Sequence, residues 1–127
     1  MAKSVLLVDD HAMVRSLLRE SFESAGFVCG EAENGARAVE QIEQLRPDLI
    51  VLDLSMPVMN GLEAAPLLKK KLPRTPIILF TMHTFEGLTQ VAAAAGIAAV
   101  VSKQRTMAEV LAKAHSLLKL SSASGEL

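Results

Sequence analysis

A parallel sheet with helices on both faces is the architecture this sequence predicts, and three observations lead there. Short aliphatic runs, each about the length of one strand, alternate along the chain with segments whose apolar residues recur at helical spacing. Five runs of each kind follow one another in turn, which is the pattern of an α/β domain. The strand runs are apolar on consecutive residues rather than on every second one, so both of their faces need covering.

Taken in order, the first strand is Val5 to Val8, ended by the carboxylates Asp9 and Asp10. Val14, Leu17, Leu18, Phe22 and Ala25 then share one helix face that stops at Gly26, a left-handed cap. Phe27 to Ala32 forms the second strand. Val39, Ile42 and Leu45 stripe a second helix, started by Asn34-Gly35 and stopped by Arg46-Pro47. Leu49 to Asp53 is the third strand, and it carries a carboxylate where the chain is still apolar. Leu62 to Leu72 make the third helix, in which Pro66 is expected to kink the helix or push its start later. Ile77 to Thr81 is the fourth strand. Leu88, Val91, Ala92 and Ala95 mark a fourth helix before Gly96, Ile97 to Ser102 a fifth strand, and Met107, Val110, Leu111, Ala114, Leu117 and Leu118 a fifth helix. From Leu120 the chain reads LSSASGEL, small and polar without periodicity, so residues 1–120 are expected to be the domain and 121–127 a flexible tail or the start of a linker.

At 127 residues, half of them hydrophobic, the chain has the size of one ordinary domain. Thirteen basic against fourteen acidic residues give a net charge of −1, which supplies no field for steering onto nucleic acid or anionic lipid. The lysines at 69 to 71 read as a solvated helix end. The single cysteine, Cys29, has no internal partner and is expected to be a reduced core thiol of a cytoplasmic protein. Only four apolar residues follow Ser4 before Asp9, so no signal peptide is expected. The longest run without a charge or strong polar group, Val91 to Val101, falls well short of the roughly 20 residues a membrane helix needs.

In open parallel sheets ligands bind beyond the carboxyl ends of the strands, at the point where strand order reverses. Here those ends carry Asp9 and Asp10, Asp53, Thr81 and Lys103. Singly, each has an ordinary explanation as a helix cap, a strand end, a turn residue or a surface lysine. Together they do not, because carboxylates about 5 Å apart repel by roughly 3 kcal/mol per pair at an effective dielectric near 20. Three of them with one lysine call for a cation. A hard divalent ion such as Mg²⁺ suits such a rim, since it takes one or two carboxylates and keeps room for phosphate oxygens. No His/Cys spacing suited to zinc is apparent.

The segments LLVDDH, VLDLSMPVMNG, ILFTMH and VVSK resemble, in order and spacing, the motifs of the receiver domain of bacterial two-component response regulators. The likeness runs from about Lys3 to Lys119. Asp-Asp-His after the first strand and the lack of a proline after Lys103 make it most similar to the branch with a C-terminal helix-turn-helix DNA-binding domain. The resemblance implies a flavodoxin-like sheet of order 2-1-3-4-5. It also implies that Asp53 is the phosphoacceptor, receiving a phosphoryl group from a sensor histidine kinase, a phosphotransfer protein or a small donor. Asp10, Asp53 and the Ser55 backbone carbonyl would ligate Mg²⁺, Asp9 would reach it through water, Lys103 would pair with the acyl phosphate, and the Thr81 hydroxyl would move to hydrogen-bond it. The implied domain is regulatory rather than an enzyme with an external substrate, and it has no nucleic-acid or membrane contact of its own. Its switched surface would control output or self-association as a phosphorylation-dependent homodimer.

Other residues of these motifs carry lesser expectations. Pro57 and Gly61 would shape the loop, with Gly61 supplying a positive backbone angle, and Met56 and Met59 would fill the core. His11 and His83 read as local residues without a neighbour that makes either a base, and His115 reads as surface. Two positions depart from the family pattern: Val100 stands where many receivers carry an aromatic switch residue, and Met82 where many carry a small one. A haloacid-dehalogenase-type phosphatase also pairs a strand-end aspartate with Mg²⁺, but it needs Asp-x-Asp, and Ser55 holds the second position. A flavodoxin-like cofactor module needs a phosphate-cradling loop where this chain has Asp9-Asp10-His11.

Overall fold

Period-two alternation along the central strands divides the core in two. The computed structural model describes the backbone of residues 2–126 and the side chains of residues 2–119. Its strands are β1 (Ser4–Val8), β2 (Val28–Ala32), β3 (Leu49–Leu52), β4 (Ile77–Thr81) and β5 (Ala99–Ser102). Its helices are α1 (Ala12–Ser24), α2 (Gly35–Leu45), α3 (Gly61–Lys71), α4 (Leu88–Ala94) and α5 (Met107–Glu126). All strand pairs are parallel and their order is β2-β1-β3-β4-β5, the flavodoxin-like order that the family resemblance implies. Val5, Leu7, Leu49, Val51, Ile78 and Phe80 pack with Leu18 and Phe22 of α1 and Val110, Ala114 and Leu118 of α5. Leu6, Val8, Ile50, Leu52, Ile77 and Leu79 point the other way, onto Ala38 and Ile42 of α2, Ala64, Ala65 and Leu68 of α3, and Leu88 and Ala92 of α4. Each fully buried leucine or isoleucine contributes about 1.5–3 kcal/mol, which makes this two-sided burial the main force holding the layers.

The helix boundaries follow local chemistry. Asn34 caps α2 by accepting from Arg37 N–H, and α2 stops at Arg46 in the left-handed region (φ 42°), just before Pro47. Gly26 after α1 and Gly96 after α4 also have positive φ. The third helix corrects the sequence reading: it begins at Gly61 rather than later, with Pro66 inside it. A reciprocal cap decides this, since the Asn60 side chain accepts from Glu63 N–H while the Glu63 carboxylate accepts from Asn60 N–H. Leu17 and Leu45, placed on core stripes by periodicity, are 46% and 47% exposed. Cys29 lies on the edge strand β2 and is half-buried rather than a core thiol, and burial raises its pKa. The backbone of α5 continues to Glu126, through part of the segment expected to be a tail, whose side chains lie outside the described residues. Among the described residues no helix is long and apolar enough to cross a membrane.

The register positions the functional rim. Val8 is level with Leu52, Leu52 with Leu79, and Thr81 with Ser102, so β1, β3, β4 and β5 end together. From β1 the chain passes to β2 on one side, while β3 flanks it on the other. Strand order therefore reverses between β1 and β3, where Asp53 N–H donates to Val8 C=O at 2.9 Å.

Candidate functional site

Asp9, Asp53 and Thr81 are the polar residues buried at this rim, 1%, 4% and 0% exposed. Asp10 and His11 begin the turn into α1 and are open to solvent. The Lys103 ammonium, on a side chain 8% exposed, sits 2.6 Å from Asp9 Oδ2 and 3.3 Å from Asp53 Oδ1. It thus bridges carboxylates from two strands, and Lys103 N–H donates to Thr81 C=O at 2.8 Å. Five of the six residues foreseen from sequence, Asp9, Asp10, Asp53, Thr81 and Lys103, lie at this one end of the sheet. Ser55 is exposed on the following loop, and its carbonyl receives no hydrogen bond among the described residues.

The two buried carboxylates differ in what remains open. Asp9 Oδ1 accepts His11 N–H at 2.9 Å and Oδ2 is taken by Lys103. Asp53 Oδ1 accepts Leu54 N–H at 2.9 Å, whereas its Oδ2 receives no donor among the described residues. Burial raises the Asp53 pKa first, and the neighbouring Asp9 charge adds to it; Lys103 and Leu54 N–H oppose the rise without cancelling it. The Asp53 carboxylate is therefore incompletely compensated by protein alone. The Thr81 hydroxyl accepts His83 N–H at 3.0 Å, so it is tied to the loop after β4.

Backbone shape after β3 keeps Asp53 reachable. Gly61 N–H donates to Leu54 C=O at 2.8 Å, closing the loop. A side chain at Gly61 would run into the Asp53 carbonyl and Leu54 Cα, so glycine is needed for close approach. This corrects the expectation of a positive angle there. The positive angle belongs to Val58 (φ 70°), at the centre of a turn in which Met59 N–H donates to Pro57 C=O at 2.7 Å. Met56 and Met59 pack partly buried against the α2, α3 and α4 side of the core, as expected.

Two features escaped the sequence reading. His11 was expected to be a local residue without a neighbour that makes it a base; its Nδ1 lies 3.1 Å from Asp10 Oδ1 and 3.2 Å from Asp9 Oδ1. Adjacency in Asp9-Asp10-His11 was the available clue, but whether the ring turns toward the carboxylates depends on the entry into α1. The second feature is Arg15, whose Nη1 donates to Asp9 C=O at 2.6 Å and whose Nε donates to Glu31 at 2.9 Å. With Asp9 N–H on Ala32 C=O at 3.1 Å, both peptide groups of Asp9 are fixed from the β2 side.

Asp9, Asp10, His11 and Asp53 each offer one ligand atom, all within 4.8 Å of one another. Such a spread could accommodate a single small divalent cation, and Asp10 and Asp53 each keep a carboxylate oxygen with no donor among the described residues.

Residues 5–115 match the response regulator receiver domain family. The chain belongs to that family. The chemotaxis protein CheY of Halobacterium salinarum is 40% identical over 103 residues, covering 81% of this chain and 86% of that protein. A protein-glutamate methylesterase/protein-glutamine glutaminase of Pyrococcus abyssi is 44% identical over 85 residues, which are 65% of this chain but 23% of that longer protein. Among solved structures, the response regulator domain of Thermotoga maritima CheB superposes with a TM-score of 0.86 at 32% identity, covering 94% of this chain and 98% of that one. This receiver domain is thus CheY-like and acts in two-component signalling, where the family's function is to accept a phosphoryl group on an aspartate.

Proposed function

We propose that Asp53 is the aspartate that accepts the phosphoryl group, with Asp10, Asp53 and the Ser55 carbonyl holding Mg²⁺ and Asp9 contacting it through water. The observation that carries this reading is the difference between the two buried carboxylates: both Asp9 oxygens are engaged, while Asp53 Oδ2 has no donor among the described residues. Asp53 Oδ2 attacks phosphorus, an O–P bond forms, and the bond from phosphorus to the donor breaks, with the donor nitrogen or oxygen leaving. Mg²⁺, when bound, supplies electrostatic stabilisation of the phosphoryl oxygens. Lys103, already between Asp9 and Asp53, pairs with the phosphorylated side chain, and the Thr81 hydroxyl leaves His83 N–H to hydrogen-bond it. The domain modifies only itself and turns over no external substrate.

The donor is a sensor histidine kinase, a phosphotransfer protein or a small acyl phosphate, and the domain operates in the cytoplasm. We place it in the branch with a C-terminal helix-turn-helix domain on the strength of Asp9-Asp10-His11 and the absence of proline after Lys103. Residues 1–120 form the receiver and 121–127 lead out of it. Its own surface has no nucleic-acid or membrane role, and phosphorylation promotes homodimer formation.

Incubation with acetyl phosphate and Mg²⁺ tests the assignment. Intact mass should rise by about 80 Da, one phosphoryl group. The increment should be absent in Asp53→Asn; its persistence there would overturn the assignment.

A further inference from the structure

His11 has no part in the function proposed above, and its helix position does not explain it. It is the residue before the first turn of α1, where Ser, Thr, Asp or Asn usually caps, yet it makes no side-chain cap bond. Its side chain is 66% exposed and free to point into solvent, but Nδ1 is 3.1 Å from Asp10 Oδ1 and 3.2 Å from Asp9 Oδ1. The 3.2 Å contact is a hydrogen bond with Asp9 and the 3.1 Å one an ion-pair contact with Asp10, and the same separations also suit coordination chemistry. Two ligands at right angles around an ion about 2.1 Å away lie roughly 3.0 Å apart, and two tetrahedral ligands about 2.0 Å away lie roughly 3.3 Å apart. The observed distances fall between the two, and all four candidate ligand atoms share a region no wider than 4.8 Å.

We propose that His11 is a nitrogen ligand that gives this site affinity for borderline divalent ions, Zn²⁺ foremost, beyond the Mg²⁺ an all-oxygen site takes. The proposal rests on the reading that Asp10 and Asp53 hold a divalent cation. Oxygen ligands suit Mg²⁺, whereas imidazole selects the later first-row ions and Zn²⁺. Zn²⁺ held in this way competes with Mg²⁺ for the residues around Asp53, so phosphorylation becomes sensitive to the balance of the two metals. A different role for the same geometry is an ion pair, with a charged imidazole compensating Asp9 and Asp10. The two roles predict opposite signs: deleting a ligand weakens Zn²⁺ binding, and deleting a competing cation strengthens it.

The test is calorimetric titration of Zn²⁺ and, separately, Mg²⁺ into the full chain. Cys29→Ser serves as the background because it removes the only thiol. His11→Phe should lower Zn²⁺ affinity about 10-fold or more while leaving Mg²⁺ affinity within about 2-fold. In the ¹⁵N spectrum of the His11-containing protein, Zn²⁺ should move the His11 Nδ1 resonance more than those of His83 and His115. Unchanged or higher Zn²⁺ affinity in His11→Phe, or an unmoved His11 resonance, overturns the proposal. Asp10→Ala separates the layers of the argument: it should weaken both metals. If it weakens neither, the cation site itself has been misplaced, whatever His11 does.

Discussion

At Asp53 the chain keeps a carboxylate that its own folding would rather protonate. Burial and the Asp9 charge raise its pKa, so the folded state binds its proton more tightly than the unfolded chain does. The sign follows: as pH rises through the interval between the unfolded and folded values, the protein loses stability, and at neutral pH the ionised Asp53 is a standing cost. Asp53→Asn should therefore stabilise the metal-free protein at pH 7 by about 1 kcal/mol, the scale of one like-charge contact partly offset by a lysine. That advantage should fade as pH falls through the carboxylate range. Adding Mg²⁺ should narrow or reverse the gap, because binding to the folded wild-type protein adds stability that the asparagine variant largely lacks. Thermal unfolding in chelator and in Mg²⁺ at several pH values checks all three statements; a less stable Asp53→Asn in chelator at pH 7 would contradict the account.

At the scale of elements, the site depends on how strands end and helices begin. Asn60→Ala removes one half of the reciprocal cap that fixes the start of α3, and should cost about 1 kcal/mol in denaturant-measured stability. A second hold lies on the β2 side, where Arg15 and Arg19 converge on Glu31 at 2.9 and 2.7 Å. Burial alone would raise the Glu31 pKa, but hydrogen bonds from Arg19 and Arg15 outweigh it and hold it below the ordinary range. Glu31 therefore contributes stability above its unfolded pKa and loses it as pH falls through the folded value. Glu31→Gln should cost about 0.5–1 kcal/mol at pH 7, and the difference from wild type should disappear in strong acid. A gap that stays constant with pH would mean the arginines do not act through the carboxylate charge. These elements also show what a sequence can carry. The carboxyl ends of β1, β3, β4 and β5 were legible because long aliphatic runs stop abruptly at Asp9, Asp53, Thr81 and Lys103. A later start for α3, the alternative raised by the strong local preference of Pro66, failed because the Asn60 to Glu63 cap stabilises the earlier start. His11 and Arg15 were missed because their partners are set by the angle at which α1 leaves β1, which no local pattern encodes.

Across the whole molecule, the proposed charge on Asp53 requires an element that responds to it, and the packing points to one region. The ends of β4 and β5 are locked together by the Thr81 to Ser102 register and by Lys103 N–H on Thr81 C=O. By contrast α4 is held lightly. It has seven residues, begins at Gly87 without a side-chain cap, and buries only Leu88 and Ala92, while Phe85 before it and Val91 within it are 52% and 46% exposed. Elements with few buried contacts open first and shift most readily. In the proposed mechanism Thr81 joins this region to the site, because its hydroxyl, which accepts His83 N–H here, would leave it for the acyl phosphate. Val100 packs partly buried against the α2, α3 and α4 side of the core, and its short, stiff side chain cannot swing as an aromatic ring can. Thr81→Ala should therefore be phosphorylated to the same extent as wild type, yet lose most of the phosphorylation-induced change in amide exchange across residues 82–95. Val100→Ala should lower stability by about 0.5–1.5 kcal/mol, the cost of a small truncation at a partly buried site, and keep that change. Both variants need to be measured, because loss of the exchange response in a folded, fully phosphorylated Val100→Ala protein together with its survival in Thr81→Ala would move the switch from the hydroxyl to position 100.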